Sequence, residues 1–205
     1  MRIARILLTL SLFSLLLSCS VLPPVELMDG DIIFHSSMSK QSKAVELATH
    51  SELTHMGVLF QRDGEWFVAE AIHPVKTTPL AVFILRGKGR HYTIMRLRDR
   101  AVLATPEAQQ RFREEIDAQL GKSYDEAFAW NDSEMYCSEL VWKAYKRALG
   151  VELGKLQSLG DFDLSHPVVR AKLQERYGGT IPLDEKVISP QAIADSPLLE
   201  TIYSR

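Results

Sequence analysis

The chain has 205 residues, 46% of them hydrophobic, with 24 Lys and Arg against 26 Asp and Glu. That length suits one domain around a single core. A formal net charge of −2 provides no basic footprint for a nucleic acid, so none is expected as a partner.

At the N-terminus, Arg2 and Arg5 form a positive segment and Ile6 to Leu17 an apolar one, and Leu16-Leu17-Ser18-Cys19 closes it with a small residue. This is the plan of a secretory signal. The apolar run is short of the roughly 20 residues that a spanning helix needs. Leu-Leu-Ser-Cys resembles a bacterial lipobox, which implies cleavage after Ser18, lipidation of Cys19 and membrane anchorage through that lipid. Ser20 in the next position resembles the sorting residue of lipoproteins destined for the outer membrane, facing the periplasm. The expected organisation is a signal peptide over 1–18, a stiff tether over 19–27 containing Pro23-Pro24, and one domain over 28–205. Losing Arg2 and Arg5 takes the net charge from −2 to −4. With Cys19 lipidated, Cys137 has no partner in an oxidising compartment, and a lone thiol in an exported chain is a candidate for reactivity.

The domain opens with a turn at Asp29-Gly30-Asp31 and a short buried strand, Ile32-Ile33-Phe34. Ser39 is placed to cap a helix over Lys40 to Thr49, with Ala44, Val45, Leu47 and Ala48 on its apolar side. Two strand-like runs, His55 to Phe60 and Trp66 to Ala71, flank Asp63-Gly64, a dipeptide suited to the tight primed turn of a hairpin. That turn pairs Arg62 with Glu65, Gly57 with Glu70 and His55 with Ile72. His55, Gly57, Glu70 and Ile72 then share a face, with Glu70 diagonal to His55 at roughly 7–8 Å between backbones. A slip of one residue would separate the pair.

Further on, Thr78-Pro79 is expected to start a helix to about Arg86, and Gly87-Lys88-Gly89 to form a loop without phosphate-loop spacing. His91 to Leu97 alternates like a strand, with Tyr92, Ile94 and Arg96 on one face. Thr105-Pro106 caps a helix to Leu120 in which Phe112, Ile116 and Leu120 recur at helical spacing, and Gly121 ends it. An aromatic loop through Tyr124 leads to Tyr136-Cys137-Ser138-Glu139, the start of a helix that Gly150 terminates. Proline-started helices are expected at Pro167, Pro190 and Pro197.

Cys137 has two competing readings. It is either a small buried hydrophobe or a thiol whose first-turn position, among unpaired N–H groups, favours the thiolate. A thiol nucleophile needs a base, a group to orient that base, and N–H donors for the oxyanion. Of six histidines, His55 alone has a carboxylate, Glu70, placed beside it. His50 is assigned to the carbonyls of a helix end, and His35, His73, His91 and His166 to loop or solvent roles. Glu139 is read as a first-turn complement to the helix dipole. Glu46 and His50 share a helix face, but the chain has no His-Glu-x-x-His, so neither metal nor cofactor is expected.

Together, Gly30-Asp31-Ile32-Ile33-Phe34, Ala48-Thr49-His50-Ser51 with Thr54-His55-Met56-Gly57, Val68-Ala69-Glu70-Ala71 and Tyr136-Cys137-Ser138-Glu139-Leu140-Val141-Trp142 resemble the YiiX-like branch of permuted papain-like hydrolases, relatives of NlpC-type cell-wall peptidases. Phe162 to Ser165 and Ile188 to Gln191 extend the likeness. The resemblance implies an α+β, circularly permuted papain-like fold with an antiparallel sheet packed on helices. It implies Cys137 as nucleophile, His55 as base and Glu70 as orienting residue, with Tyr124 near the substrate or oxyanion; Tyr136 and Ser138, which flank Cys137 at the helix start, are expected there from their position. The implied activity is cleavage of an amide bond, foremost in peptidoglycan peptides, by a monomeric lipoprotein of the cell envelope. Lipid acyltransferase, phospholipase or thioesterase chemistry, and a non-catalytic binding role, remain alternatives. The chain departs from the NlpC type in lacking a Gly-Gly pair after Tyr124 and in carrying Tyr136 where Asp usually precedes the cysteine.

Overall fold

The computed structural model describes residues 22–205. The signal segment and Cys19 lie outside these residues. Among those described, no helix is long and apolar enough to cross a membrane.

Gly30, at φ +88°, turns the chain into β1 (Ile32–Ser37), and Ser39 then caps α1 (Lys40–Thr49) by accepting the Ser42 N–H. The hairpin follows as β2 (His55–Arg62) and β3 (Glu65–Glu70), with Asp63 and Gly64 both at positive φ as a primed turn requires. Its register runs from Arg62 opposite Glu65 to Val58 opposite Ala69, in agreement with the turn-based expectation. After β4 (Lys76–Pro79) come α2 (Leu80–Arg86), β5 (Gly87–Leu97) and α3 (Pro106–Asp117). A two-residue strand β6 (Ser123–Tyr124) pairs with β7 (Glu134–Met135), which runs directly into α4 (Cys137–Leu149). The last elements are β8 (Gln157–Ser158), α5 (Pro167–Tyr177), β9 (Lys186–Val187), α6 (Pro190–Ala194) and β10 (Leu199–Ser204).

The main sheet has the order β10-β5-β1-β2-β3-β4, with every neighbouring pair antiparallel. Strand alternation divides its side chains between two layers. Phe34, Met56, Val58 and Ala69 face α3 and α4, meeting Phe112, Val141 and Tyr145 in the larger core. Ile33, Leu59, Val68 and Ile94 face the other way, onto Leu80, Phe83 and Ile84 of α2. α5 lies beside α1, with Leu173 and Val169 against Leu47 and Ala48. The architecture is the α+β, antiparallel-sheet arrangement expected of a permuted papain-like chain.

Four local expectations need correction. Thr78-Pro79 belongs to edge strand β4, and Pro79 is the N-cap of α2 rather than its first residue; an edge strand tolerates a proline's missing N–H. Gly87 to Gly89 begins β5 instead of looping. A Cβ on Gly87 would stand 3.0 Å from His35 Nδ1, so this glycine permits close approach rather than a turn. Pro197 does not start a helix; the chain passes from α6 into β10, which completes the sheet against β5. Finally, β3 ends at Glu70, so Ile72 never reaches His55, which pairs instead with His35 across β1.

Gly57 sits where the hairpin strands come closest. A Cβ there would lie 2.4 Å from Val68 Cγ1 and 2.5 Å from the Ala69 carbonyl oxygen. Because one of those obstacles is backbone, Gly57→Ala is expected to cost about 1–3 kcal/mol, read as a lower urea midpoint at unchanged m-value.

Candidate active site

Cys137 is the first residue of α4, with Tyr136 as the extended N-cap. The residue is buried, at 4% exposure, where α4 meets the larger core. The first N–H groups of a helix lack intrahelical acceptors, so the Cys137 and Ser138 N–H groups head α4 beside the thiol. Glu139 completes the start of the helix by accepting the Tyr136 N–H at 3.4 Å. Glu139 does stand in the first turn of α4, and it is fully buried and paired with Lys143 at 2.6 Å. Burial outweighs that pairing and pushes its carboxyl up to about 7.

His55 is the first residue of β2, so its ring stands at the end of the sheet rather than beneath it. The ring stacks on Phe83 of α2 at 5.6 Å between centroids. His55 Nε2 lies 2.6 Å from Glu70 Oε2, and the Cys137 side chain is close enough to favour charge on the ring. With Nε2 taken by the carboxylate, Nδ1 is the nitrogen left for sulfur. Burial opposes charge on this imidazole, but the neighbouring Cys137 and Glu70 prevail and push it up to about 9.

Glu70 ends β3 with no exposed surface. Its Oε1 accepts from Thr78 Oγ1 of β4 at 2.5 Å and from Arg86 Nη2 at the end of α2. Although burial works to raise this carboxyl, the His55 hydrogen bond, Thr78 and the Arg86 charge hold it at about 2. The orienting carboxylate is thus gripped from two elements besides the histidine's own strand.

His35, expected in a loop or solvent role, is instead buried beside His55 with its centroid 5.3 Å away, stacked on Phe83 at 4.2 Å. Burial, reinforced by the His55 and Arg86 charges, drops it to about 3, so it is a neutral support for the His55 ring. His50 does end α1, but its ring lies 3.2 Å from Asp163 rather than on the helix carbonyls. His166 caps α5, its Nδ1 accepting the Val168 N–H.

Among the remaining candidates, Tyr124 lies beside Cys137, and its hydroxyl accepts from Gln41 Nε2 at 2.6 Å, leaving the phenol proton free to donate. Burial and the nearby sulfur hold that proton well above the ordinary tyrosine value. The Tyr136 ring lines the cleft, while its hydroxyl accepts the Ile188 N–H at 3.1 Å. Ser138 Oγ donates to the Ile188 carbonyl at 2.7 Å, so only its backbone N–H is free for chemistry. Gln41, Thr78, Arg86 and His35 reach the site only through the way α1, β4, α2 and β1 pack around it, which local pattern does not show. His35 alone carried a local hint, being the residue that continues β1 toward the His55 strand.

Two arms adjoin the site, one beside the thiol and one beside the histidine. On the Cys137 side is a narrow apolar cleft of about 90 Å³, walled by Ala44, Ala48, Phe128, Leu173 and Ile188 and bordered by Arg176. On the His55 side is a crevice of about 280 Å³ and mixed polarity, lined by Gln41, Thr54, His55 and Glu126. Tyr124 borders both.

Residues 26–203 match the family described as permuted papain-like amidase enzyme, YaeF/YiiX, C92 family. The uncharacterized protein YiiX of Escherichia coli K12 is 48% identical over 173 residues, 84% of each chain. A crystal structure of the metalloprotein YiiX from Escherichia coli O157:H7 superposes with a TM-score of 0.81 at 47% identity, covering 86% of this chain and 97% of that one.

Proposed function

Because the chain belongs to the permuted papain-like amidases of the C92 family, and is therefore a cysteine hydrolase, we propose that it cleaves amides by a Cys137–His55–Glu70 mechanism. The observation that carries this reading is the buried His55–Glu70 hydrogen bond, with the Cys137 side chain near enough to favour charge on the same ring. The proton passes from sulfur to His55 Nδ1, and the thiolate attacks the amide carbonyl carbon. The developing oxyanion takes hydrogen bonds from the Cys137 N–H at the start of α4 and from the Tyr124 hydroxyl. As the C–N bond breaks, His55 returns its proton to the leaving amine. Water, deprotonated by His55, then attacks the thioester, releasing the acid and regenerating the thiol.

In this proposal the amine, which takes its proton from His55, leaves on the His55 side into the mixed-polarity crevice, and the acyl part, on the other side of the carbonyl carbon, occupies the apolar cleft. This favours a slim, largely apolar acyl group over the polar peptidoglycan peptide expected from the resemblance. The envelope location, with anchorage through Cys19, is part of the proposal and rests on the lipobox likeness. The solved relative is titled a metalloprotein, but among the described residues no group of three or more His, Cys, Asp or Glu side chains could hold a metal ion. With His55 committed to Glu70 and Cys137, the donor set does not fit, and no step here runs through a metal.

The test is hydrolysis of N-acyl amino acids measured beside muropeptides. Release of fatty acid in preference to peptide products supports the assignment of the arms, and the reverse returns the substrate to the cell wall. On whichever substrate turns over, Tyr124→Phe is expected to lower kcat by about 10²-fold with little change in KM, as for loss of one oxyanion donor.

A further inference from the structure

Arg176 is a charge that the mechanism does not use. It stands in the last turn of α5 and borders the apolar cleft that holds Cys137. Its guanidinium lies over the Phe128 ring, 4.4 Å from the centroid, and Phe128 meets the ring of Tyr136 edge-on at 5.0 Å. Nε and Nη2 are closed off from solvent and, among the described residues, neither has a hydrogen-bond acceptor. Glu126 and Glu175 act on it through space, without a salt bridge to either. Lys172, one turn earlier and on the same cleft, is already bound to Glu175 at 2.7 Å.

A guanidinium has five donors and no way to neutralise itself, so donors closed off without an acceptor signal a missing one. The aromatic face beneath it fixes the plane of the fork, which suits a planar bidentate acceptor. The charge available is a single unit, with two carboxylates already in its field, so it matches a monoanion better than a phosphate dianion. We infer that Arg176 forms an anion subsite in the apolar cleft, so that the acyl part of the substrate carries a carboxylate set back from the scissile amide. This rests on the proposed reading of the cleft as the acyl side of Cys137. The apolar walls would then enclose the stretch between scissile carbonyl and carboxylate, and a plain fatty acyl group would leave Arg176 unsatisfied.

The experiment is calorimetric binding to the full chain carrying Cys137→Ala, which removes turnover from the readout. The probes are the mono-N-methylamides of succinic, adipic, suberic and sebacic acids, each paired with its uncharged bis-N-methylamide. The expected result is that one or more of the acids binds about tenfold or more tighter than its neutral twin. Arg176→Gln should erase that preference while leaving the neutral probe's affinity unchanged, and Arg176→Lys should keep part of it. Equal affinity of acid and neutral twin would overturn the subsite. So would loss of both probes together in Arg176→Gln, since that marks Arg176 as a prop for Phe128. Alkyl phosphates binding tighter than matching acids would overturn the carboxylate. Failure of every probe to bind would overturn the acyl-side reading itself, whereas failure of Cys137 as nucleophile would show in thiol labelling and leave this binding result standing.

Discussion

His55→Ala is expected to slow alkylation of Cys137 by iodoacetamide near neutral pH by about tenfold or more, and to lower kcat/KM on an amide substrate by about 10³-fold. The physical reason is that the imidazole has two functions toward the same proton. It accepts the thiol proton, which makes the nucleophile, and it returns that proton to the leaving amine. Without it, sulfur keeps only the helix-start N–H groups, which stabilise negative charge but cannot shuttle a proton. The wild-type chain should therefore label faster than a free cysteine peptide. Labelling at the peptide's rate, or a rate untouched by His55→Ala, would remove Cys137 and His55 from the chemistry. Because His55 is held up at about 9, the alkaline fall of kcat/KM should centre near pH 9 rather than near the ordinary histidine value. That fall is the loss of the proton that expels the amine. Circular dichroism of the variant separates this loss from unfolding.

Glu70→Gln is expected to be the most destabilising of the site substitutions, at about 3 kcal/mol, because it breaks a buried ionic cluster while keeping the shape of the side chain. The figure is at the lower end for a buried pair since the Arg86 side chain, 39% exposed, can turn toward water. Its effect on the pH profile of stability is more specific than its size. In the wild type, the depressed carboxyl contributes stability above its unfolded value near 4.5 and loses it as pH falls through about 2. The raised His55 contributes fully below its unfolded value near 6.5 and loses it as pH rises through about 9. Both contributions coexist between those unfolded values. Glu70→Gln should flatten the acid limb and draw the alkaline limb down from about 9 toward 6.5. Glu139 works oppositely, since a buried carboxyl held at about 7 costs stability as pH rises from 4.5 to 7. It does so in both proteins, so the difference between urea midpoints of wild type and variant across pH isolates Glu70. Superimposable profiles would mean that Glu70 is not ionised against His55.

The His55–Glu70 pair was legible because a two-residue turn, Asp63-Gly64, sets a register with no freedom left in it. The placement of Cys137 on a helix start was legible for a similar reason, from the apolar run after it and Gly150 at its end. What could not be read were the partners arriving from elsewhere. Arg86 and Thr78 reach Glu70 from α2 and β4, and Gln41 reaches Tyr124 across 83 positions of chain. His35 had a buried strand before it, yet its stacking on Phe83 depends on how α2 crosses the sheet. β10 was misread because its strand identity comes from pairing with β5, far away in sequence, and its own alternation is weak.

Local chemistry within the sequence was therefore enough to determine the hairpin and the helix start, since turns, caps and alternation act over a few residues, while the family was legible only as a resemblance carried by several motifs together. The tertiary structure alone decided that Glu70 would be clamped by Arg86, that His35 would be a buried neutral neighbour of His55, and that an apolar cleft bordered by Arg176 would lead to Cys137. Those features depend on which faces of distant elements meet, and desolvation, which sets their charge states, arises only once they have met.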